Sequence, residues 1–200
     1  MMQVEQILAL SLFAMISSVT PGPNNMMLMA SGVNYGFRRS LPHLAGICIG
    51  FPLMVFATGL GLYAMFTKIP LLHALLKYGG VLYILWLSWK LANATPINSD
   101  IPDASGPMTF LQAAAFQWVN PKAWVMALSA LTAFLPPGHT LTDVASVAIT
   151  FGVISVPCVG AWNIFGLAMR RYLTDAGTVK AFNITMALLL VVSIYPVLMD

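Results

Sequence analysis

The stretch SSVTPGPNNMM, Ser17–Met27, interrupts the first apolar run of the chain with two prolines, a glycine and two asparagines. Proline removes a backbone donor and ends a helix, and asparagine carries an amide that needs partners. Inside a hydrophobic run these residue types fit where one helix stops and another starts. Thr20 is read as the N-cap of the new helix and Pro21 as its first residue, where a missing N–H costs nothing. Pro23 falls in the same first turn, and Gly22 lets another group approach the backbone closely.

The surroundings of this break are a membrane. Of 200 residues, 59% are hydrophobic and 8% charged, against about 25% charged in a soluble domain; the mean hydropathy is +0.84. Nine Lys and Arg against six Asp and Glu give a charge of +3 with no basic patch, which excludes a nucleic-acid partner. The acids Glu5, Asp100, Asp103, Asp143, Asp175 and Asp200 fall near the ends of apolar runs or in loops. Cys48 and Cys158 lack a paired spacing and read as small buried hydrophobes. His43, His73 and His139 share no metal-binding spacing and read as interfacial anchors, so no metal or cofactor is implied.

A spanning helix needs about 20 mostly apolar residues. Six candidates result: residues 4–34 with the interruption, 41–66, 70–91, 109–135, 141–169 and 180–198. The first lacks the basic flank of a signal peptide, carries Glu5, and is kept as a span. The polar connector NATPINSDIPDASGPM, Asn93–Met108, divides the chain near its middle. Arg38, Arg39, Lys90, Arg170, Arg171 and Lys180 follow spans one, three and five, and only Lys68 falls clearly on the other side. By the positive-inside rule those connectors are cytoplasmic and both termini periplasmic. Trp86, Trp89 and Tyr172 then belong to the inner aromatic belt, Tyr63 and Tyr195 to the outer one.

Three spans, a linker and three spans are the arithmetic of an inverted repeat, residues 1–95 against 109–200 within a single transmembrane domain. The second half carries a matching break: QWVNPKAW, Gln117–Trp124, has Asn120 for a cap and Pro121 for a first residue. Span one runs inward and span four outward, so both restarted helices begin near the membrane middle. Helix N-termini offer unpaired N–H groups and partial positive charge, and Lys122 adds a full one. The spacing therefore predicts a carboxylate-binding site made by Thr20, Pro21, Gly22, Pro23, Asn24, Asn25, Gln117, Asn120, Pro121 and Lys122. Asn163 in GAWNIFG and Asn183 in AFNITM are buried amides that either line the pathway or bond between helices, and Asn163 is kept as a site candidate. No acid in the spans is a permanent partner for Lys122, which makes the substrate carboxylate a transient one. A lysine snorkelling towards water is the structural alternative.

TPGPNN (Thr20–Asn25), GFRRSLPHLAGICIGF (Gly36–Phe51), GGVLYILWLSWKLA (Gly79–Ala92) and QWVNPKAW together resemble the LysE/RhtB family of amino-acid exporters. The resemblance spans nearly the whole chain. It implies a multi-pass protein of the bacterial inner membrane that moves small amino acids or derivatives outward, drawing on the proton gradient. TPGPNN and the ending NITMALLLVVSIY (Asn183–Tyr195) are similar to the cysteine/O-acetylserine branch, with homoserine and threonine exporters close behind.

Other functions fit the residues less well. A membrane enzyme would need a nucleophile with a base, or ligands on facing helices, and the sequence supplies neither. An exporter of basic amino acids or of cations is the alternative, but a metal path would want carboxylates or thiolates, and the spans offer little beyond two separated cysteines. A non-transporting scaffold is separated from an exporter by measuring export, and self-association as a homodimer stays open. No G-x-x-x-x-G-K-[ST] motif occurs, so the energy source is a gradient.

Overall fold

The computed structural model describes residues 2–62, 70–94, 106–136 and 138–195. Regular structure among them is helical throughout: α1 (Val4–Val19), α2 (Pro23–Ala57), α3 (Pro70–Ala92), α4 (Phe110–Phe116), α5 (Pro121–Phe134), α6 (Leu141–Met169) and α7 (Ala176–Val192). A π-helical turn, Thr58–Leu62, extends α2, and a tight 3-10 turn, Gln117–Val119, extends α4. Tyr63, Lys68, most of the polar linker and the side chain of His73 lie outside the described residues.

α2 is a hairpin of two helical arms. At Gly36 the backbone takes φ 77° and ψ 173°, a left-handed value that a side chain disfavours, and the chain reverses. Ser31 and Ser40, on opposite arms, have their hydroxyl oxygens 2.7 Å apart. The first arm, residues 23–35, falls with α1 in the stretch expected to be the first span, and the second arm in that expected to be the second. The third and fifth spans coincide with α3 and α6 to within a residue. The sixth starts earlier than expected, at Ala176, because the Asp175 side chain accepts from the Thr178 N–H at 2.9 Å and caps it. Lys180 is thus inside α7.

The tight reversal also corrects the reading of His43. It is 1% exposed, so it packs inside the protein and is no surface anchor. With only Gly36 between the arms, the second arm begins at Phe37, and six residues later, about 9 Å along the axis, the ring is already packed among helices.

The hairpin packs on α6 through small residues. A Cβ on Gly32 would collide with the Asn163 carbonyl, and one on Gly166 with that of Met29; such approaches let helix backbones meet in a membrane. Gly50 faces Ala114 of α4 in the same way: a Cβ there would stand 2.6 Å from the Ala114 Cα. The interior is largely apolar but also holds Asn25, Asn34, His43, Gln117, Asn120, Asn163 and Asn183, while Leu8, Leu12, Ile149, Val153, Leu188 and Val192 are exposed. An outer surface of large aliphatics suits lipid, not water. This is a helical membrane protein.

The basic residues gather at one end. Arg170 reaches within 3.8 Å of the position a Cβ would take on Gly36, next to Arg38 and Arg39. Lys90 shares a cavity wall with Tyr35 near the same turn. Trp86 and Tyr172 are exposed there, the first under Lys90 and the second under Arg171.

Candidate functional site

The two breaks meet near the middle of the helix bundle, between α1, the α2 hairpin, α5 and α6. At the first, Thr20 ends α1. Its N–H donates to the Ile16 carbonyl at 3.1 Å and its hydroxyl to the Ser17 carbonyl at 2.8 Å. The N-cap of α2 is Gly22, fully extended at φ −176° and ψ 175°, and Pro23 is the first helical residue. This corrects the placement of the cap at Thr20 and the start at Pro21. A residue before proline is pushed out of the helical region, and both Thr20 and Gly22 precede one, so no helix begins until Pro23.

The last carbonyls of α1 would be orphaned by the break, and side chains from three elements satisfy them. Asn25 donates to Ser18 and Thr20, both at 2.8 Å. Trp162 of α6 donates from its indole to Val19 at 3.1 Å. Lys122 of α5 donates from Nζ to the Thr20 carbonyl at 2.6 Å, the Thr20 hydroxyl at 2.9 Å and the Pro21 carbonyl at 3.3 Å. Its stem lies over Gly22, where a Cβ would stand 2.6 Å from Cδ. The expected lone ammonium therefore has partners in this structure. They are oxygens of the opposite break, and all three of its N–H bonds are engaged.

The second break follows the sequence reading. Asn120 is the N-cap of α5, its side-chain oxygen accepting from the Lys122 N–H at 3.1 Å, and Pro121 is the first residue. Gln117 turns back towards α2. It exchanges amide bonds with Asn24 at 2.8 and 3.2 Å and donates to the Ala113 carbonyl at 2.8 Å. A charged strap and a reciprocal amide pair thus join the two breaks across 93 or more residues of chain.

Between them lies a cleft of about 400 Å³, counting its open mouth. Gly22, Asn24, Asn25, Gln117, Asn120 and Lys122 line it, with Ser17, Ser18 and Ser155. Ile47, Phe51, Met126 and Val159 supply the apolar side. Thr20, Pro21, Pro23 and Pro121 frame the breaks without lining the cleft. Asn163 is apart from it, bonding the Leu28 carbonyl at 3.0 Å between α6 and α2; Asn183 pairs with Asn34 at 2.7 and 3.0 Å. Sequence reasoning missed the three serines and the apolar wall. Ser17 and Ser18 stand just before the break and could have been found by extending it one turn, whereas Ile47, Phe51, Ser155 and Val159 come from helices with no local signal.

The electrostatics are those of two opposed helix ends. The α1 C-terminus presents oxygens, and the α2 N-terminus, which no side chain caps, presents the N–H groups of its first turn. Among the described residues no three His, Cys, Asp or Glu side chains converge to hold a metal ion, and no acid lines the cleft. The arrangement can hold a small molecule carrying both charges.

Comparison with known proteins bears on this arrangement. A family model described as LysE type translocator matches residues 15–194. The chain is similar to cysteine/O-acetylserine efflux proteins of Escherichia coli O9:H4 (strain HS), Escherichia coli (strain K12) and Shigella flexneri serotype 5b (strain 8401). Each is 33% identical over 181 residues, covering 90% of this chain and 90% of the relative. No solved structure matches it.

Proposed function

The chain belongs to the LysE type translocator family, and from that premise we propose that it exports small neutral amino acids or their derivatives, of the cysteine and O-acetylserine kind, across the bacterial inner membrane. The observation that carries this is the Lys122 strap over an uncapped helix start. The ammonium and the oxygens it holds are the counter-groups of a zwitterion. An amino acid entering between them gives its carboxylate to Lys122 and to the N–H groups of Asn24 and Asn25, and its ammonium to the carbonyls of Thr20 and Pro21. Hydrogen bonds to charged groups contribute about 1.5–3 kcal/mol each, so the exchange replaces what it breaks and adds the first-turn N–H bonds.

Ile47, Phe51, Met126 and Val159 take the side chain and favour a short, uncharged one. A basic side chain would meet no acid on that wall, which argues against export of lysine-like substrates or cations. Because Lys122 ties α5 to the end of α1, substrate entry releases one half of the molecule from the other. That release is the step alternating access needs, with the halves acting as inverted repeats, both termini periplasmic, and the proton gradient as the energy source.

The test is efflux from proteoliposomes holding the purified full chain and labelled O-acetylserine, cysteine, homoserine, threonine or lysine. Saturable efflux of the neutral set, several-fold faster than lysine, is expected. Efflux of none, or of lysine first, contradicts the reading.

A further inference from the structure

A second cavity, of about 450 Å³ counting its mouth, opens at the basic end of the molecule. Its wall includes Met27, Ser31, Asn34 and Tyr35 of the first α2 arm, His43 of the second, Lys90 of α3 and Gly106–Met108 before α4. His43 is 1% exposed, and neither Nδ1 nor Nε2 has a hydrogen-bond partner among the described residues. A neutral imidazole has one donor and one acceptor to satisfy, and leaving both unmet in a packed interior costs free energy. Packing alone would be served by leucine or phenylalanine at this place. An unpartnered ring on a cavity wall is instead a group waiting for water or a proton.

The position suits a transport cycle. Ile47, one turn beyond His43 on the same arm and about 6 Å along the axis, lines the central cleft. Met27 lines this cavity, Ile47 and Val159 line the cleft, and all three are buried in one apolar cluster. The charged and titratable groups facing His43 are Lys90 from α3 and Tyr35 from the first arm, with Arg39 over the Tyr35 ring at 5.7 Å. α6 offers Cys158 and no charged residue between Asp143 and Arg170, α7 only Lys180, and among the described residues no acid lies on the cavity wall.

We propose that His43 is the proton site that couples export to the gradient, the cavity around it being the proton's route to cytoplasmic water. This rests on the reading of the protein as a gradient-driven exporter. While the cleft is open outward, hydronium in periplasmic water passes a proton to an imidazole nitrogen: its O–H bond breaks, an N–H bond forms, and neutral water is left. The imidazolium, with no carboxylate among the described residues of the cavity wall, is held once the cavity admits water, which favours opening of the basic end. There the proton leaves to water, the neutral ring returns, and the amino acid loads for the outward step.

The test uses proteoliposomes and O-acetylserine, with two assays on the same protein: exchange of labelled for unlabelled substrate at equal pH, which needs no net proton movement, and uphill transport driven by an imposed pH gradient. His43→Gln is expected to keep exchange within about twofold and to lose driven transport at least tenfold, together with its pH dependence. Driven transport at the parental rate and pH profile overturns the proposal, and so does loss of exchange and drive together in a folded variant, which would make His43 a substrate contact. Absence of exchange in the parental protein sinks the export reading itself, a separate result. Should His43→Gln fail to fold, the double variant His73→Gln/His139→Gln leaves one histidine whose imidazole ¹⁵N shifts can be read in lipid. Saturating O-acetylserine is expected to move the midpoint of that titration by at least half a pH unit, and a midpoint unmoved by substrate overturns the proposal.

Discussion

The two breaks use the same residue types and come out differently. At the second, Asn120 caps its own helix, and the Lys122 N–H is spent on that cap. At the first, Gly22 brings no side chain, so the start of α2 is left open while the end of α1 is closed by Asn25, Trp162 and Lys122. The second break is therefore a finished structural joint, and it contributes the cation and the Gln117 amide. The first has donors unclaimed by the protein and acceptors held by a group that can leave. A proline break in a membrane helix signals function only when its orphaned groups are not already spent, and cap residues decide that.

Removing the link between the breaks has the largest expected effect. Lys122→Met keeps length and loses three charged bonds and the carboxylate anchor. At 1.5–3 kcal/mol for a charged bond, kcat/KM for efflux falls about 10- to 100-fold while the protein still inserts and folds. Parental kinetics in this variant would show the strap to be packing only. Gly22→Ser makes the first break resemble the second, by adding a cap and pressing a Cβ against the Lys122 stem. Efflux is expected to fall about tenfold, as for loss of one charged bond of about 1.5 kcal/mol, and unchanged transport would mean that the open helix start is not used.

The converse substitution, Asn120→Ala, opens the second break. It costs about 1 kcal/mol of stability, as lost caps do, and changes the apparent substrate affinity less than threefold; a tenfold affinity loss with intact stability would instead make Asn120 a substrate ligand. The smallest effect lies outside the site. Bonds from the Thr178 N–H and hydroxyl hold the Asp175 carboxyl below the usual carboxylate range. A depressed folded value stabilises above the unfolded pKa of about 3.9 and is lost as pH falls through the folded value. Melting in detergent should show a shallow acid limb below about pH 4 that flattens in Asp175→Ala, and an identical limb in both proteins would remove this cap from the account.

What the sequence made legible was local. Proline, glycine and cap residues act within a turn, so Asn120–Pro121, the gap after Val19 and the bounds of α6 could be read directly. Two prolines two residues apart defeated that reading by two positions, because the constraint on Gly22 comes from Pro23 rather than Pro21. Partners across the chain were invisible. Lys122 looked unpaired because its partners are two backbone oxygens and one hydroxyl, none of them an acid. His43 looked interfacial because hydropathy does not show how tightly Gly36 turns, and Ile47, Phe51, Ser155 and Val159 join the cleft only through helix packing.

The account stands on one contact, between a substrate carboxylate and Lys122. Solid-state NMR on the full chain in lipid, with ¹⁵Nζ-lysine and O-acetylserine labelled with ¹³C at its carboxylate, measures it directly. A charge-assisted bond of about 2.7–2.9 Å from nitrogen to oxygen places the two labelled nuclei within about 4 Å, and the account predicts a dipolar coupling of that size that vanishes in Lys122→Met. Bound substrate without that coupling, or a coupling that persists in the variant, would contradict it.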